Sequence, residues 1–187
     1  MIAPIYDLFY NYQKRSFIQY LAKLSDDWDI AACTKVIDLG CGTGALCSVL
    51  DQAGHEVTGV DSSQKMLDRA KRKPENKNIR FLLANADEPL PFADKSFDLA
   101  VTSFVAHGLQ PDERRALYSE MKRLAEKLVI IYDYNQKRSI IVNIAEWAER
   151  GDYFNFIRIA ETEMKEIFSE VQIVAAGDYS TWYICKP

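Results

Sequence analysis

The sequence predicts an α/β protein in which helices cover both faces of a mainly parallel sheet. Two observations support this prediction: apolar strands alternate with helical segments five times, and a glycine-rich loop follows the first strand. The chain has 187 residues, of which 48% are hydrophobic and 27% charged, as is usual for one globular domain over residues 1–187. Ligands of such sheets bind beyond the carboxyl ends of the strands, so the loops there are the candidate sites.

The elements are predicted in chain order from hydrophobic periodicity and turn residues. Apolar residues at helical spacing predict an N-terminal helical segment within residues 1–30, interrupted near Lys14. Apolar runs predict strands at 35–39, 56–60, 79–83, 97–104 and 127–132, and helical patterns predict helices at 45–53, 62–73 and 111–126. Further helices are predicted at 139–150 and 162–168, followed by a β-hairpin made of 171–176 and 181–185.

The loop after the first strand is the most informative stretch of the sequence. In VIDLGCGTG, Gly40, Gly42 and Gly44 alternate between a strand and a helix, which lets the backbone turn tightly and a ligand approach closely. Asp38 lies inside the otherwise apolar strand, where a carboxylate is costly unless donors or a cation accompany it. The GK[ST] sequence of a phosphate-binding P-loop is missing. The alternative interpretation is a tight turn with a capping aspartate.

Asp61, at the end of the second strand, fits two roles. Its carboxylate can accept hydrogen bonds from both hydroxyls of a ribose, or it can cap the helix that follows. The glycine loop favours ribose binding. A dinucleotide site is compatible with the spacing, because the loop also fits a GxGxxA pattern and Asp61 follows about twenty residues later. Asp38 and Gly44 count against it, since an acid facing the loop would repel a pyrophosphate and would suit an ammonium or sulfonium group.

Polar residues also follow the third and fourth strands. Asn85, Ala86 and Asp87 form a segment in which an amide or acid could bind the edge of an adenine, although a plain polar loop is the alternative. His107 lies in the loop after the fourth strand. Because an imidazole titrates near neutrality, His107 is a candidate general base, with a packing role as the alternative.

Composition and charge exclude several classes of protein. The formal net charge is −4, which argues against a general nucleic-acid binder. No apolar run approaches the ~20 residues that cross a bilayer, and no signal peptide is recognisable, so we expect a cytoplasmic protein without a membrane partner. The four cysteines include no CxxC pair and there are only two histidines, so the sequence predicts no metal site.

Four motifs together resemble a known family. VIDLGCGTG, VDSSQKML, LPFADKSFD and TSFVAHGL follow one another between Val36 and Leu109, in the order found in class I S-adenosylmethionine-dependent methyltransferases of the small ubiquinone-biosynthesis-like group. The resemblance implies a Rossmann-like, doubly wound, seven-stranded sheet, mostly parallel with an antiparallel last strand. It also implies S-adenosylmethionine as the cofactor, bound by Asp38, Gly40, Cys41, Gly42, Gly44, Asp61, Ser62, Met66, Asn85, Ala86, Asp87 and Ser103.

The resemblance implies methyl transfer but does not identify the acceptor. The fourth strand lacks the Asn-Pro-Pro-Tyr motif of adenine and amide methylases. Candidate catalytic groups are His107, Tyr132 and Asp133. Aromatic residues in the N-terminal segment and in residues 134–160, the predicted substrate-side insertion, favour an apolar or aromatic small-molecule acceptor, or form part of the core. An NAD-dependent oxidoreductase and a non-catalytic S-adenosylmethionine-binding module are the alternatives, and the sequence does not indicate an oligomeric state.

Overall fold

A computed structural model describes residues 3–25, 28–135 and 152–187 of the chain. It consists of two compact units, Met1–Asn85 and Ala86–Pro187. The helix predicted at 139–150 and most of the predicted insertion at 134–160 lie outside the described residues. The assignment of the whole chain to a single domain stays a prediction.

In the first unit, the part of the chain that the structure describes forms three strands and three α-helices. Its helices are α1 (Ala3–Ser25), α2 (Ala45–Gln52) and α3 (Gln64–Lys71), and its strands are β1 (Lys35–Leu39), β2 (Glu56–Asp61) and β3 (Arg80–Leu83). The strands run parallel in the order β3-β2-β1. Because the carboxyl ends of parallel strands meet at one edge, the loops after β1, β2 and β3 are neighbours.

The apolar runs explain these elements. In β1 the four residues from Val36 to Leu39 are buried, as expected of a strand with both faces covered. In α2 the first six residues are all buried, so this helix is surrounded by protein rather than lying on the surface. The helix α1 is continuous through Lys14, so the predicted interruption there was wrong. The helical spacing of its apolar residues is consistent on both sides of Lys14.

The described residues of the second unit form four strands and two α-helices. They are β4 (Phe97–Ser103), α4 (Pro111–Leu124), β5 (Ala125–Tyr134), α5 (Tyr153–Ile167), β6 (Glu170–Ala175) and β7 (Ser180–Lys186). The strands are ordered β4-β5-β7-β6, with β4 and β5 parallel and β7 antiparallel to both of its neighbours. The predicted hairpin is therefore present, and β7 pairs with β5 as well as with β6.

A buried ion-pair cluster joins α4 to α5. Arg114 of α4 is fully buried, and its guanidinium Nε lies 2.7 Å from Oε2 of Glu163 in α5. Its Nη1 lies 3.1 Å from Oδ2 of Asp152, which precedes α5, and donates to the carbonyl oxygen of Leu109 at 2.7 Å. This cluster fixes the start of α5 nine residues earlier than the predicted start at residue 162.

The predicted fold class is confirmed: seven strands form a mostly parallel sheet with an antiparallel last strand, and helices accompany it. The strand boundaries shift by at most two residues, which is the usual uncertainty of element ends. The largest shift is in β5, which begins at Ala125 directly after α4 without an intervening loop.

Candidate functional site

The glycine loop is anchored to the end of β2. The N–H groups of Gly40 and Cys41 both donate to the carbonyl oxygen of Val60, at 2.8 and 2.9 Å. Farther along the loop, the N–H of Gly44 donates to the carbonyl oxygen of Cys41 at 2.9 Å. The loop is therefore a rigid turn, and α2 begins directly after Gly44.

Two glycines of the loop are required for different reasons. Gly42 has φ +55° and Gly44 has φ +77°, a left-handed conformation that side chains disfavour. A Cβ at Gly44 would lie 2.9 Å from Nδ2 of Asn76 and 3.2 Å from both Ala70 and Phe81, so this glycine lets protein pack against protein. A Cβ at Gly42 would meet no described atom within 4 Å. The space beside Gly42 is open to a ligand.

Asp61 connects the glycine loop to α3. It is the last residue of β2, and its Oδ2 accepts a 2.7 Å hydrogen bond from the N–H of Gly42. Its Oδ1 accepts a 2.8 Å bond from the N–H of Ser63. The cap of α3 is the Ser63 side chain, which accepts from the N–H of Met66, so Asp61 itself does not cap the helix. A carboxylate has about four acceptor positions, and these two bonds leave capacity for two hydroxyl donors.

Asp38 is fully buried in β1. Its Oδ2 lies 3.2 Å from the donor Sγ of Cys47. Its Oδ1 is buried and has no hydrogen-bond partner in the described part of the chain. Burial raises the pKa of Asp38 to about 7, with Asp61 adding to the increase and the bond from Cys47 opposing it. A cationic ligand group near Asp38 would satisfy this carboxylate and favour its charged form.

The residues predicted to contact an adenine lie partly in the first unit. Ser62 is exposed and Met66 half-buried, both just beyond β2, and Asn85 is exposed beyond β3. Leu83, at the end of β3, pairs in register with Asp61 and is 50% exposed. Leu83 is a candidate contact that was not predicted, although an apolar residue that ends a strand beside the acid is a usable sequence signal.

The remaining predicted residues lie in the second unit. Ala86 and Asp87 are half-buried in a turn, and Ser103 ends β4 opposite Tyr132 of β5. Tyr132 is buried, with its ring stacked on Trp182 at 4.2 Å between centroids and its hydroxyl 3.1 Å from Oγ of Ser180.

The structure brings the two other predicted catalytic residues together. Nδ1 of His107 lies 2.7 Å from Oδ1 of Asp133, which is fully buried. The Asp133 carboxylate also accepts from the N–H groups of His107 at 3.3 Å and Tyr134 at 2.8 Å. These partners assign the proton of a neutral ring to Nδ1, so the basic lone pair is on Nε2.

Aromatic rings surround His107. Tyr134, Tyr153 and Phe156 meet its imidazole edge to face, at centroid distances of 4.8, 6.5 and 6.4 Å. Phe104 lies at 6.4 Å, and the His107 side chain is 10% exposed. The hydrogen-bonded pair of His107 and Asp133 therefore lies in a largely aromatic environment.

The residues of the first unit fit S-adenosylmethionine. The unpartnered Oδ1 of Asp38 suits an ammonium group, the spare acceptor capacity of Asp61 suits a ribose, and the open space at Gly42 admits the ligand. In the described residues, no group of three or more His, Cys, Asp and Glu is placed to hold a metal ion. A search of the same residues finds no helix long and apolar enough to cross a membrane.

Two comparisons of the sequence agree with this fit. Residues 36–127 match the family model described as a methyltransferase domain. The chain is 28% identical over 167 residues to an uncharacterized methyltransferase of Staphylococcus carnosus, covering 86% of this chain and 78% of that one. It is 40% identical over 86 residues to the demethylmenaquinone methyltransferase of Tropheryma whipplei, covering 41% of this chain but only 35% of that protein.

A comparison of structures gives the same fold. The PH0226 protein from Pyrococcus horikoshii superposes with a TM-score of 0.75 at 23% sequence identity, covering 92% of this chain and 91% of that one. The glycine loop and Asp61 lie within the matched methyltransferase domain. Residues 36–127 are therefore a methyltransferase domain, and the chain is similar to methyltransferases over most of its length.

Proposed function

We propose that this protein transfers a methyl group from S-adenosylmethionine to a small-molecule acceptor. The observation that carries the proposal is the glycine loop hydrogen-bonded to Asp61, next to a buried carboxylate, Asp38, with one unpartnered oxygen. Bound S-adenosylmethionine supplies an electrophilic methyl carbon on a positively charged sulfur. Because displacement at that carbon is dominated by positioning, the main task of the protein is to hold donor and acceptor in line.

The first unit supplies the cofactor contacts. Asp61 accepts hydrogen bonds from the ribose hydroxyls with the acceptor capacity that Gly42 and Ser63 leave. Asp38 attracts the amino group of the methionine portion. Met66 and Leu83 offer apolar surface to the adenine, since both are accessible beside the end of β2. The family resemblance also implies cofactor contacts for four further residues, and we retain them in the proposal: Asn85, Ala86, Asp87 and Ser103.

We assign the role of general base to His107. Nε2 accepts the proton of the acceptor hydroxyl as that oxygen bonds to the methyl carbon, and the electron pair of the broken carbon–sulfur bond stays on sulfur. Asp133 holds the ring through Nδ1 at 2.7 Å and stabilises the imidazolium that results. Asp133 is therefore a positioning residue. Tyr132 is assigned a structural role, because its ring is stacked on Trp182.

A small apolar acceptor is supported by the rings around His107 and by the similarity to a demethylmenaquinone methyltransferase. Only 86 residues of that relative align with this chain, so the similarity does not identify the acceptor of this protein as a quinone. We also propose a cytoplasmic location, which fractionation of cells that express the tagged chain would test.

Calorimetry with S-adenosylmethionine, S-adenosylhomocysteine and NAD tests the cofactor assignment. We expect both sulfur nucleosides to bind and NAD to give no heat of binding. Binding of NAD alone would establish an oxidoreductase instead. Binding of the nucleosides without methyl transfer to any member of an acceptor panel would indicate a non-catalytic module.

A second experiment tests the base. His107→Gln should lower kcat for a hydroxyl acceptor by about 100-fold or more, in keeping with the contribution of general bases. The change should lower kcat while leaving cofactor affinity unchanged. The matched control is His55→Gln, because His55 is also buried and its Nδ1 lies 2.6 Å from the carbonyl oxygen of Cys33. Equal loss in both variants would remove the assignment.

A further inference from the structure

Phe104 has a backbone conformation that is unfavourable for a phenylalanine. It directly follows β4 and has φ 54°, in the left-handed region. Lys95, at φ 55°, is the other non-glycine residue with positive φ in the described part of the chain. The N–H of Phe104 donates to the carbonyl oxygen of Tyr132 at 2.8 Å, which fixes the residue to β5. Conformations of this kind persist where the surrounding structure enforces them, and they concentrate at functional sites.

This conformation places the Phe104 ring among the rings near His107. Its centroid lies 4.7 Å from that of Tyr132, 5.2 Å from Tyr134 and 6.4 Å from His107. Despite these three contacts, 36% of Phe104 is exposed. Tyr153 and Phe156, which also contact His107, are almost completely buried. Among the described rings that contact His107, Phe104 is the most exposed, and Tyr134 is half-buried. Phe104 therefore offers apolar surface to an incoming molecule.

We propose that Phe104 determines acceptor specificity by packing its exposed ring against a flat, hydroxyl-bearing aromatic acceptor beside His107. The proposal rests on the proposed function, because it uses His107 as the base. An aromatic acceptor gains from Phe104 both apolar burial and a favourable ring–ring contact. A saturated ring of the same carbon skeleton keeps part of the burial and loses the ring–ring contact.

The position of Phe104 explains why a flat molecule is preferred. Among the described residues, Tyr134, Tyr153 and Phe156 pack around the imidazole, and the Phe104 ring adjoins it as well. An acceptor that reaches His107 can therefore lie against Phe104. The hydrogen bond from Phe104 N–H to Tyr132 prevents the backbone from moving the ring away at low cost. A thick acceptor would have to displace this ring, whereas a flat one can lie against it.

Binding of 2-naphthol and of decahydro-2-naphthol tests the proposal without knowledge of the natural acceptor. Titrations followed by calorimetry use the full chain with S-adenosylhomocysteine present and absent. The variants are Phe104→Leu, which keeps apolar bulk, and Phe104→Gly, which also relieves the left-handed strain. Tyr179→Leu is the matched control, because Tyr179 is an aromatic residue of the same unit with 44% exposure in the turn before β7.

The wild-type chain should bind 2-naphthol about tenfold more tightly than the saturated alcohol, and both Phe104 variants should lose about tenfold in affinity for 2-naphthol. Tyr179→Leu should bind as the wild type does. Lack of 2-naphthol binding to the wild type, or equal affinity in the Phe104 variants, would overturn the proposal. Failure of S-adenosylhomocysteine to bind would instead overturn the proposed function, so the two failures are distinguishable.

Discussion

The backbone N–H of Gly42 and the Oδ2 atom of Asp61 are joined by a 2.7 Å hydrogen bond. This bond links the middle of the glycine loop to the end of the neighbouring strand, so one carboxylate both shapes the loop and offers acceptors to a ligand. A loop stabilised in this way is ordered before the ligand arrives, which lowers the entropic cost of binding.

Removal of the Asp61 carboxylate should therefore affect binding more than folding. Asp61→Ala should weaken S-adenosylmethionine binding by about 100-fold or more, because two charge-assisted hydrogen bonds to the ribose are lost. The free energy of unfolding should fall by about 1–2 kcal/mol, because the N–H groups of Gly42 and Ser63 lose their acceptor. Calorimetry and urea unfolding measure the two effects. Asp68→Asn is the control, since Asp68 bonds only the exposed Gln64 on the same helix in the described contacts.

The stability of the ligand-free protein should depend on the ionisation of Asp38. Its folded-state pKa of about 7 lies above its ordinary value of 3.8, so the folded state holds the proton more tightly than the unfolded state. The stabilisation is complete below about pH 4 and decreases as the pH rises to 7. Between pH 5 and pH 8 the loss is on the order of 3 kcal/mol. Urea unfolding of Asp38→Asn should lack this dependence.

Substitution by alanine should have different effects at Gly42 and at Gly44 of the loop. Gly44→Ala should destabilise the fold by about 3 kcal/mol, because the new Cβ combines left-handed strain with the close approach to Asn76. Gly42→Ala should cost about 1 kcal/mol, from backbone strain alone. It should nevertheless weaken S-adenosylmethionine binding at least tenfold by filling the space for the ligand. Unchanged affinity in Gly42→Ala would show that the ligand does not occupy that space.

Arg114, the buried arginine of α4, should contribute strongly to the free energy of unfolding. Arg114→Met should lower the free energy of unfolding by about 3–5 kcal/mol, because it leaves the buried carboxylate of Glu163 without its partner. Adding Glu163→Gln should recover part of the loss, which thermal unfolding of the double variant would detect. The control is Arg115→Met, because Arg115 pairs with Glu166 on the surface and such pairs contribute less than about 1 kcal/mol.

Local sequence signals predicted the strands and the glycine loop well. The apolar run of β1, the alternating glycines and the acid that ends β2 are short-range patterns, and each has its own physical reason. Those signals also predicted that the loop and Asp61 lie at neighbouring strand ends, because adjacent parallel strands bring their ends together. The hydrogen bond between Gly42 and Asp61 was not predicted. The side chain of Ser63 takes the cap of α3, so the capping alternative for Asp61 was wrong, and ribose binding by Asp61 stays a prediction.

Features that depend on distant residues could not be predicted. The start of α5 depends on Arg114, which is 38 residues from Asp152 and 49 from Glu163. A charged residue with helical spacing gives no sign that it is buried against such a partner. The contact between His107 and Asp133 joins residues 26 positions apart, so both were predicted as candidates without their pairing. The left-handed conformation of Phe104 has no sequence signal, since it is imposed by the bond to Tyr132.

The placement of β7 between β5 and β6 has a consequence for biosynthesis. Residues 170–175 leave the ribosome before residues 180–186, yet in the described sheet they pair with those later residues. Until residues 180–186 have left the ribosome, β5 therefore lacks its antiparallel neighbour and has an unpaired edge. Completion of the second unit is a late event, and nascent chains stalled before this point should be substrates for chaperones.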